Sequence, residues 1–260
     1  MKKYAIGIDI GSTCAKTVVM DRDAGMIRRM LQPTGWSSVD TAEAIRASLF
    51  RDGISTDDAY VIATGYGRIS VPYANRCVTE ITCHGRGACH IFGREDLLII
   101  DIGGQDTKLI AVEGGAVKDF VMNDKCSAGT GRFLEIMANT LSLRPSELCN
   151  LAASGGNTSI SSMCTVFAES EVISLIGRGE KRENIAYAVV DSIVKKVVAQ
   201  ASRIHSAADT VCLTGGLCEF DYLIRCLSQQ LGKPVVSSPD CRYAGAIGAA
   251  LAAGKMLKEG

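Results

Sequence analysis

Apolar runs separated by short polar turns divide the first part of the chain into strands and one helix. A continuous apolar run of five to seven residues is typical of a buried strand, whereas apolar positions three or four apart indicate one face of a helix. The sequence therefore predicts strands at Tyr4–Ile10, Ala15–Met20, Met26–Leu31 and Ala59–Thr64, and a helix at Thr41–Phe50. A strand hairpin followed by a helical crossover indicates an α/β fold.

The opening pattern recurs later in the chain. Leu97–Lys108 can be laid on Ala5–Lys16, which places Asp101 on Asp9 with an offset of 92 residues. Each copy continues into a second strand, a glycine-containing turn and a third strand. A repeat of this kind indicates internal duplication. The sequence therefore predicts two similar domains, each resembling ribonuclease H, that face each other across a cleft.

The region after the second hairpin is mainly helical. Helices are predicted at 130–142, 166–177, 183–204, 219–231 and 243–257, and strands at 210–214 and 234–237. No low-complexity linker marks a domain boundary, so the boundary is placed just before the second copy of the internal repeat. Residues 1–93 are expected to form the first domain and residues 94–260 the second, with a C-terminal helix at about 243–260 that can pack back on the first.

Composition and charge exclude several classes of protein. A content of 47% hydrophobic and 22% charged residues is typical of a globular chain. Lys and Arg balance Asp and Glu at 28 each, so there is no basic footprint for nucleic acid or an anionic membrane. The first apolar run contains Asp9, unlike a signal peptide, and no run approaches the ~20 residues that span a bilayer. We therefore expect a cytoplasmic protein with no nucleic-acid or membrane partner.

The chain has 11 cysteines, an odd number that argues against a complete disulfide framework. A chain this rich in thiols suits a reducing, anaerobic cytosol. Five of them lie in ordinary helix or strand segments and are expected to be small buried hydrophobes: Cys149, Cys212, Cys218, Cys226 and Cys241. Cys77, Cys83 and Cys89 recur every six residues beside His84 and His90, so a zinc site is an alternative there. A period of six does not place three ligands on one helical face.

Both copies of the hairpin carry residue types that bind phosphate. Turns rich in glycine and hydroxyl groups let backbone N–H groups approach phosphate oxygens closely. The candidates are Gly11, Ser12, Thr13 and Lys16 in the first copy, and Gly103, Gly104, Gln105 and Asp106 in the second. Two further small-residue segments, Gly215-Gly216 and Ala244-Gly245, permit close approach of a base or a ribose.

Two carboxylates and one amide are candidates for catalytic roles. Asp9 and Asp101 occupy the same place in the two hairpins. Mg2+ keeps several waters and takes few carboxylates, so both residues are suited to holding Mg2+ through waters. Gln105 could orient an attacking water, as a glutamine does in other nucleotide hydrolases. The hairpins and the two small-residue segments resemble those of the actin/Hsp70/sugar-kinase superfamily, which implies two ribonuclease-H-like domains that clamp ATP and Mg2+ between them.

Cys126 and Cys164 lie 38 residues apart, each shortly before a predicted helix. The positive end of a helix favours an anionic thiolate. A tetrahedral metal site or a cubane cluster needs about four thiolates, so one chain would supply half of the ligands and a twofold homodimer the rest. The spacing alone leaves open that both are buried structural cysteines.

Five segments resemble the activator component of 2-hydroxyacyl-CoA dehydratases: Ala63–Arg68, Thr79–Gly85, Asp101–Asp106, Met122–Phe133 and Ser162–Glu171. The resemblance implies a homodimer with one 4Fe-4S cluster held by Cys126 and Cys164 of each chain. It further implies that hydrolysis of ATP to ADP drives one low-potential electron into a 2-hydroxyacyl-CoA dehydratase or related reductase, with ferredoxin or flavodoxin as the donor. Cys14 departs from the small residue expected in the first hairpin.

Two other functions are compatible with a nucleotide site. A small-molecule kinase of the same fold, without a cluster, could present a catalytic carboxylate at Asn123-Asp124. A non-catalytic interaction module similar to chaperone nucleotide domains would leave the cysteines inert, but this chain has no separate substrate-binding domain. The electron-donating ATPase is the favoured interpretation.

Overall fold

Two five-stranded mixed sheets carry the fold. The computed structural model describes residues 2–161 and 164–259. The strands are β1 (Tyr4–Ile10), β2 (Cys14–Met20), β3 (Met26–Pro33), β4 (Ala59–Thr64), β5 (Arg76–Cys77), β6 (Leu97–Ile102), β7 (Thr107–Glu113), β8 (Ala116–Asn123), β9 (Val211–Gly215) and β10 (Val235–Val236). The helices are α1 (Ser38–Arg51), α2 (Glu80–Phe92), α3 (Gly131–Thr140), α4 (Pro145–Ala152), α5 (Thr165–Gly177), α6 (Arg182–Ala201), α7 (Asp221–Leu231) and α8 (Ala244–Glu259).

The chain divides into two units. The first comprises Met1–Asp96, Val112–Lys118 and Asp240–Gly260, and the second comprises Leu97–Ala111 and Asp119–Pro239. Within the first unit, α8 packs on α2 and on β1. Among the described residues, no helix is both long enough and apolar enough to cross a bilayer.

The two sheets share one strand order. The first runs β3-β2-β1-β4-β5 and the second runs β8-β7-β6-β9-β10. β1 pairs antiparallel with β2 and parallel with β4, and β6 likewise pairs parallel with β9. This repetition of topology confirms the internal duplication and the paired ribonuclease-H-like folds that the sequence predicts.

Both faces of β1 are covered, which explains why its sequence is apolar except at Asp9. Ile6, Ile8 and Ile10 belong to the cluster that includes α1, and Ala5 belongs to the cluster that includes α8. Successive side chains of a strand point to opposite faces, so Asp9 shares the face of Ala5. Asp9 is therefore a buried carboxylate on the α8 face, near the end of the strand.

The helix α2 was not among the predicted elements. Its sequence contains Gly85 and Gly87, which disfavour a helix interior. Tertiary packing overrides this preference, because a Cβ atom on Gly87 would lie 1.9 Å from the backbone oxygen of Ala244 in α8. The reciprocal contact comes from Gly248 of α8, whose added Cβ would lie 1.9 Å from the oxygen of Cys83. Glycines on both helices thus allow the two backbones to touch.

The substitution Gly248→Ala is expected to destabilise the protein by about 3 kcal/mol, because overpacking against an immovable backbone atom forces the helices apart. Gly254→Ala on the same helix is the matched control. A Cβ atom there would lie 3.9 Å from its nearest neighbour, so this substitution should be neutral or stabilising by up to about 1 kcal/mol. Urea denaturation followed by circular dichroism measures both. Equal midpoints for the two variants would contradict the close packing of α2 and α8.

Candidate nucleotide site and cysteine loops

The turn of the first hairpin is exposed to solvent, and hydrogen bonds hold its backbone in place. The N–H of Gly11 donates to the oxygen of Cys14 over 3.1 Å, which closes the turn. Ser12 and Thr13, at the tip, are exposed. Thr34, the residue after β3, fixes the turn, since its hydroxyl donates to the oxygen of Gly11 over 2.7 Å and its N–H donates to the oxygen of Thr13 over 2.9 Å. Of the predicted phosphate donors, Ser12 and Thr13 are therefore accessible on a turn that is held in place, whereas the N–H of Gly11 is engaged within the turn.

Asp9 lies at the base of this hairpin, only 3% exposed. Its carboxylate is 4.0 Å from the ammonium of Lys16. A Cβ atom added to Gly65 would lie 2.4 Å from Asp9 Oδ1, and one added to Gly245 would lie 2.7 Å from Asp9 Oδ2 and 2.9 Å from Nε2 of His84. Two glycines therefore make room for the carboxylate. His84, a residue with no predicted role, lies beside the same point.

The second hairpin repeats this geometry. The N–H of Gly103 donates to the oxygen of Asp106 over 2.9 Å, and Gln105 is exposed. The hydroxyl of Thr214 donates to Asp101 Oδ1 over 3.0 Å. Gly215 has a φ of +86° and a Cβ atom there would lie 2.7 Å from the same oxygen, just as Gly65, with a φ of +84°, approaches Asp9. Each unit thus places one carboxylate against one Thr-Gly pair.

The two hairpins differ at one position with electrostatic consequences. Cys14 in the first copy stands where Asp106 stands in the second. Lys108 therefore pairs with two carboxylates, since its ammonium lies 2.7 Å from Oδ2 of Asp106 and 3.5 Å from Oδ2 of Asp101. Only 2% of Lys108 is exposed. Lys16, the equivalent residue, keeps more of its side chain in solvent. Lys108 was not among the predicted site residues, although the repeat aligned it with Lys16.

The two predicted cysteines lie on neighbouring loops of the second unit. Cys164 is exposed and is itself the N-cap of α5, whereas Cys126 is half-buried and precedes the cap of α3, Thr130. The side-chain hydroxyl oxygens of Ser127 and Thr165, the residues that follow the two cysteines, lie 2.7 Å apart. The structure therefore joins the two loops directly. Two residues of the second cysteine motif, at positions 162 and 163, lie outside the described residues.

Four of the five cysteines that were expected to be buried are buried, and Cys226 is half-buried. Burial raises the pKa of Cys83 to about 11 and that of Cys149 to about 12, so both remain thiols at neutral pH. Cys77 lies on β5, where its thiol donates to the oxygen of Arg68 over 3.3 Å. In the part of the chain that the structure describes, no three of the cysteines and histidines of the alternative zinc site come within ligand distance of one another.

Comparison with known proteins identifies the family of the chain. The model of the BadF/BadG/BcrA/BcrD ATPase family matches residues 6–253. The (R)-2-hydroxyglutaryl-CoA dehydratase activating ATPase of Acidaminococcus fermentans is 40% identical over 259 residues, which cover 98% of each chain. The ADPNP-bound activator of the 2-hydroxyisocaproyl-CoA dehydratase of Clostridium difficile superposes with a TM-score of 0.91 at 35% identity, covering 98% of this chain and 96% of that one.

A more distant structure shares the fold alone. The ROK family glucokinase of Streptomyces griseus, in complex with glucose and AMPPNP, superposes with a TM-score of 0.64 at 13% identity, covering 97% of this chain and 99% of that one. The resemblance to dehydratase activators noted in the sequence is confirmed by the closer matches. The chain belongs to the BadF/BadG/BcrA/BcrD ATPase family.

Proposed function

We propose that this ATPase is the ATP-dependent one-electron donor that activates a 2-hydroxyacyl-CoA dehydratase or a related reductase. Two similar proteins are named for activating dehydratases of 2-hydroxyglutaryl-CoA and 2-hydroxyisocaproyl-CoA. The observation that carries the proposal is the pair of cysteine loops joined through Ser127 and Thr165, with Cys164 exposed and Cys126 half-buried. A soluble low-potential carrier, ferredoxin or flavodoxin, would supply the electron.

The two hairpins supply the nucleotide contacts in this proposal. Exposed or half-exposed turn residues would donate to the phosphates of ATP or ADP. Gly216, which follows β9, is exposed and would admit the base and ribose, whereas Gly215, Ala244 and Gly245 are buried and would contribute through their small size. The proposed contacts are Gly11, Ser12, Thr13, Lys16, Gly103, Gly104, Gln105, Asp106, Gly215, Gly216, Ala244 and Gly245. Gln105, exposed at its turn, would orient the attacking water.

The two aspartates fit an outer-shell role toward Mg2+. Both carboxylates are buried at the base of their hairpins, and Asp101 already accepts a hydrogen bond from Thr214 and pairs with Lys108. A carboxylate so engaged is suited to holding Mg2+ through waters, which that ion retains readily. Bound there, Mg2+ would neutralise charge on the phosphates during hydrolysis.

The cysteine loops fit half of a shared 4Fe-4S cluster. One chain offers Cys126 and Cys164, and a second copy related by a twofold axis would offer the same two residues, giving four thiolates. The helix that Cys164 caps also exposes four large apolar side chains: Val166, Phe167, Ile173 and Ile176. An exposed apolar surface of this kind is typical of an interface between proteins. The cluster would supply the one-electron chemistry, and α5 would supply contact with the second copy.

A coupling of ATP binding to electron transfer is energetically reasonable. Lowering the potential of a one-electron donor by ~200 mV costs about 5 kcal/mol. A nucleotide that binds one of two protein states ~10⁴-fold more tightly than the other shifts the population by a similar free energy. The hairpin residues would provide that differential affinity.

The kinase alternative is not favoured by the environment of Asn123 and Asp124. The amide of Asn123 donates to the oxygens of Cys126 and Ala128, over 2.8 Å and 3.4 Å, so it is committed to the cysteine loop. Asp124 pairs with Lys125 at 3.0 Å, and that hydrogen bond lowers the pKa of its carboxyl. An exposed carboxylate with a lowered pKa is a poor general base for a substrate hydroxyl.

The proposal is tested by measuring electron transfer from the reduced protein to a dehydratase. The anaerobically reconstituted dimer is reduced with dithionite and mixed with (R)-2-hydroxyglutaryl-CoA dehydratase or 2-hydroxyisocaproyl-CoA dehydratase. We expect its visible absorbance to show reoxidation only when both Mg-ATP and a dehydratase are present, and we expect ADP not to replace ATP. Reoxidation at an equal rate without ATP, or hydrolysis of ATP without reoxidation by either dehydratase, would contradict the proposal.

A further inference from the structure

The start of α3 is held by the second phosphate hairpin. The first N–H groups of a helix have no partner within the helix. Here the N–H of Gly131 donates to the oxygen of Gly103 over 2.9 Å, and that of Arg132 donates to the oxygen of Gly104 over 2.8 Å. The two glycines proposed to contact phosphate therefore also anchor the helix that follows the Cys126 loop.

A buried hydroxyl makes a second link between the hairpin and that loop. Thr107, the first residue of β7, is 1% exposed, and its hydroxyl donates to the oxygen of Gly129 over 2.8 Å. Gly129 has a φ of +86°, and a Cβ atom there would lie 2.8 Å from the Lys196 side chain. The loop at Gly129 is consequently confined between Thr107 on one side and α6 on the other.

The link continues to both cysteines. The hydroxyl of Thr130 donates to the oxygen of Ser127 over 2.6 Å, and the hydroxyls of Ser127 and Thr165 are 2.7 Å apart. Ser127 follows Cys126 and Thr165 follows Cys164 in the chain. Hydrogen bonds therefore connect Thr107, which follows the phosphate turn, to Gly129 and the adjoining Thr130, then to Ser127, and finally to Thr165 in the Cys164 loop.

The internal repeat shows that the fold does not require this hydroxyl. The residue equivalent to Thr107 in the first hairpin is Ala15, which is equally buried at 1% exposure. The strand therefore forms and packs with a methyl group at this position. The hydroxyl occurs only in the copy of the hairpin that adjoins the cysteine loops.

We propose that Thr107 is a positioning residue that transmits the nucleotide state of the Gly103–Asp106 turn to the Cys126 and Cys164 loops. The inference rests on the proposed function, because it assumes a cluster held by those loops. A turn that shifts when the terminal phosphate is lost moves Thr107, which follows it directly, and with it the oxygen of Gly129. The cysteine loops then change their exposure to solvent.

The test compares Thr107→Val with the wild type and with Thr107→Ser, which keeps the hydroxyl. Thr158→Val is the control, because it makes the same change in the same unit at a hydroxyl that bonds Glu180 over 3.0 Å. Each protein is reconstituted anaerobically, its iron is counted, and it is reduced with dithionite. The rate at which the ferrous chelator bathophenanthroline disulfonate removes iron is then measured with Mg-ATP and with Mg-ADP.

We expect the ratio of the two rates to depart from unity in the wild type, in Thr107→Ser and in Thr158→Val. In Thr107→Val the difference should shrink at least fivefold, while iron content and the KM for ATP stay within twofold of the wild type. If Thr107→Val does not retain iron, Thr107→Ala, which copies Ala15, takes its place with the same expectation. The inference is overturned, and the proposed function is not, if Thr107→Val or Thr107→Ala shows the same ratio of iron-removal rates as the wild type. A ratio of unity in an iron-loaded wild type has the same meaning. A wild type that binds no iron overturns the proposed function.

Discussion

Replacing either Cys126 or Cys164 with alanine is expected to remove essentially all iron from the anaerobically purified protein. A 4Fe-4S cluster has about four iron atoms and needs about four thiolates. In a twofold dimer each substitution removes two ligands at once, because the change occurs in both subunits. Iron and sulfide counted per dimer should fall from about four of each to near zero.

Cys77→Ala is the matched control for this prediction. Cys77 is another exposed thiol, but it lies on β5 of the first unit. The variant should keep the iron content of the wild type. Iron retained in Cys164→Ala would contradict the proposed ligand set. Loss of the dimer on size-exclusion chromatography, together with the iron, would show that the cluster also holds the subunits together.

The hairpins were predictable from sequence because they are specified locally. An apolar run, a glycine turn and a polar residue at a fixed place in the strand define both copies, and the offset between Asp9 and Asp101 showed that they are equivalent. The structure confirms the repeat in strand order and in the register that sets each aspartate beside a Thr-Gly pair. The pair Thr64-Gly65 could have been found by the same comparison, since it mirrors Thr214-Gly215.

Features that depend on distant packing were not predictable. The helix α2 contains two glycines, which disfavour a helix interior. The close approach of α8 accounts for Gly87, whereas the side chains of Val112 and Val117 lie against Gly85. The spacing of Cys126 and Cys164 likewise gave no distance between their loops. The two loops are connected through the hydroxyl groups of Ser127 and Thr165, and no sequence pattern indicates that these two groups lie close together.

The two lysines of the repeat show how one neighbouring residue changes the role of an equivalent side chain. Lys108 is buried between Asp101 and Asp106, whereas Lys16 has Cys14 in place of the second carboxylate. The substitution Lys108→Met is therefore expected to destabilise the protein by about 3–5 kcal/mol, because removing one partner of a buried ion pair leaves the other charge uncompensated.

The substitution Lys16→Met is the matched control and should separate stability from binding. The ammonium of Lys16 is 4.0 Å from Asp9 and 17% of its side chain is exposed, so its loss should lower the free energy of unfolding less than the loss of Lys108, which is 2% exposed and closer to two carboxylates. It should instead raise the KM for ATP, because this ammonium remains available to a phosphate. Urea denaturation and steady-state ATPase rates measure the two effects. Equal destabilisation by both substitutions would mean that Asp106 does not distinguish the two hairpins. The expected difference would assign a structural role to Lys108 and a nucleotide-binding role to Lys16.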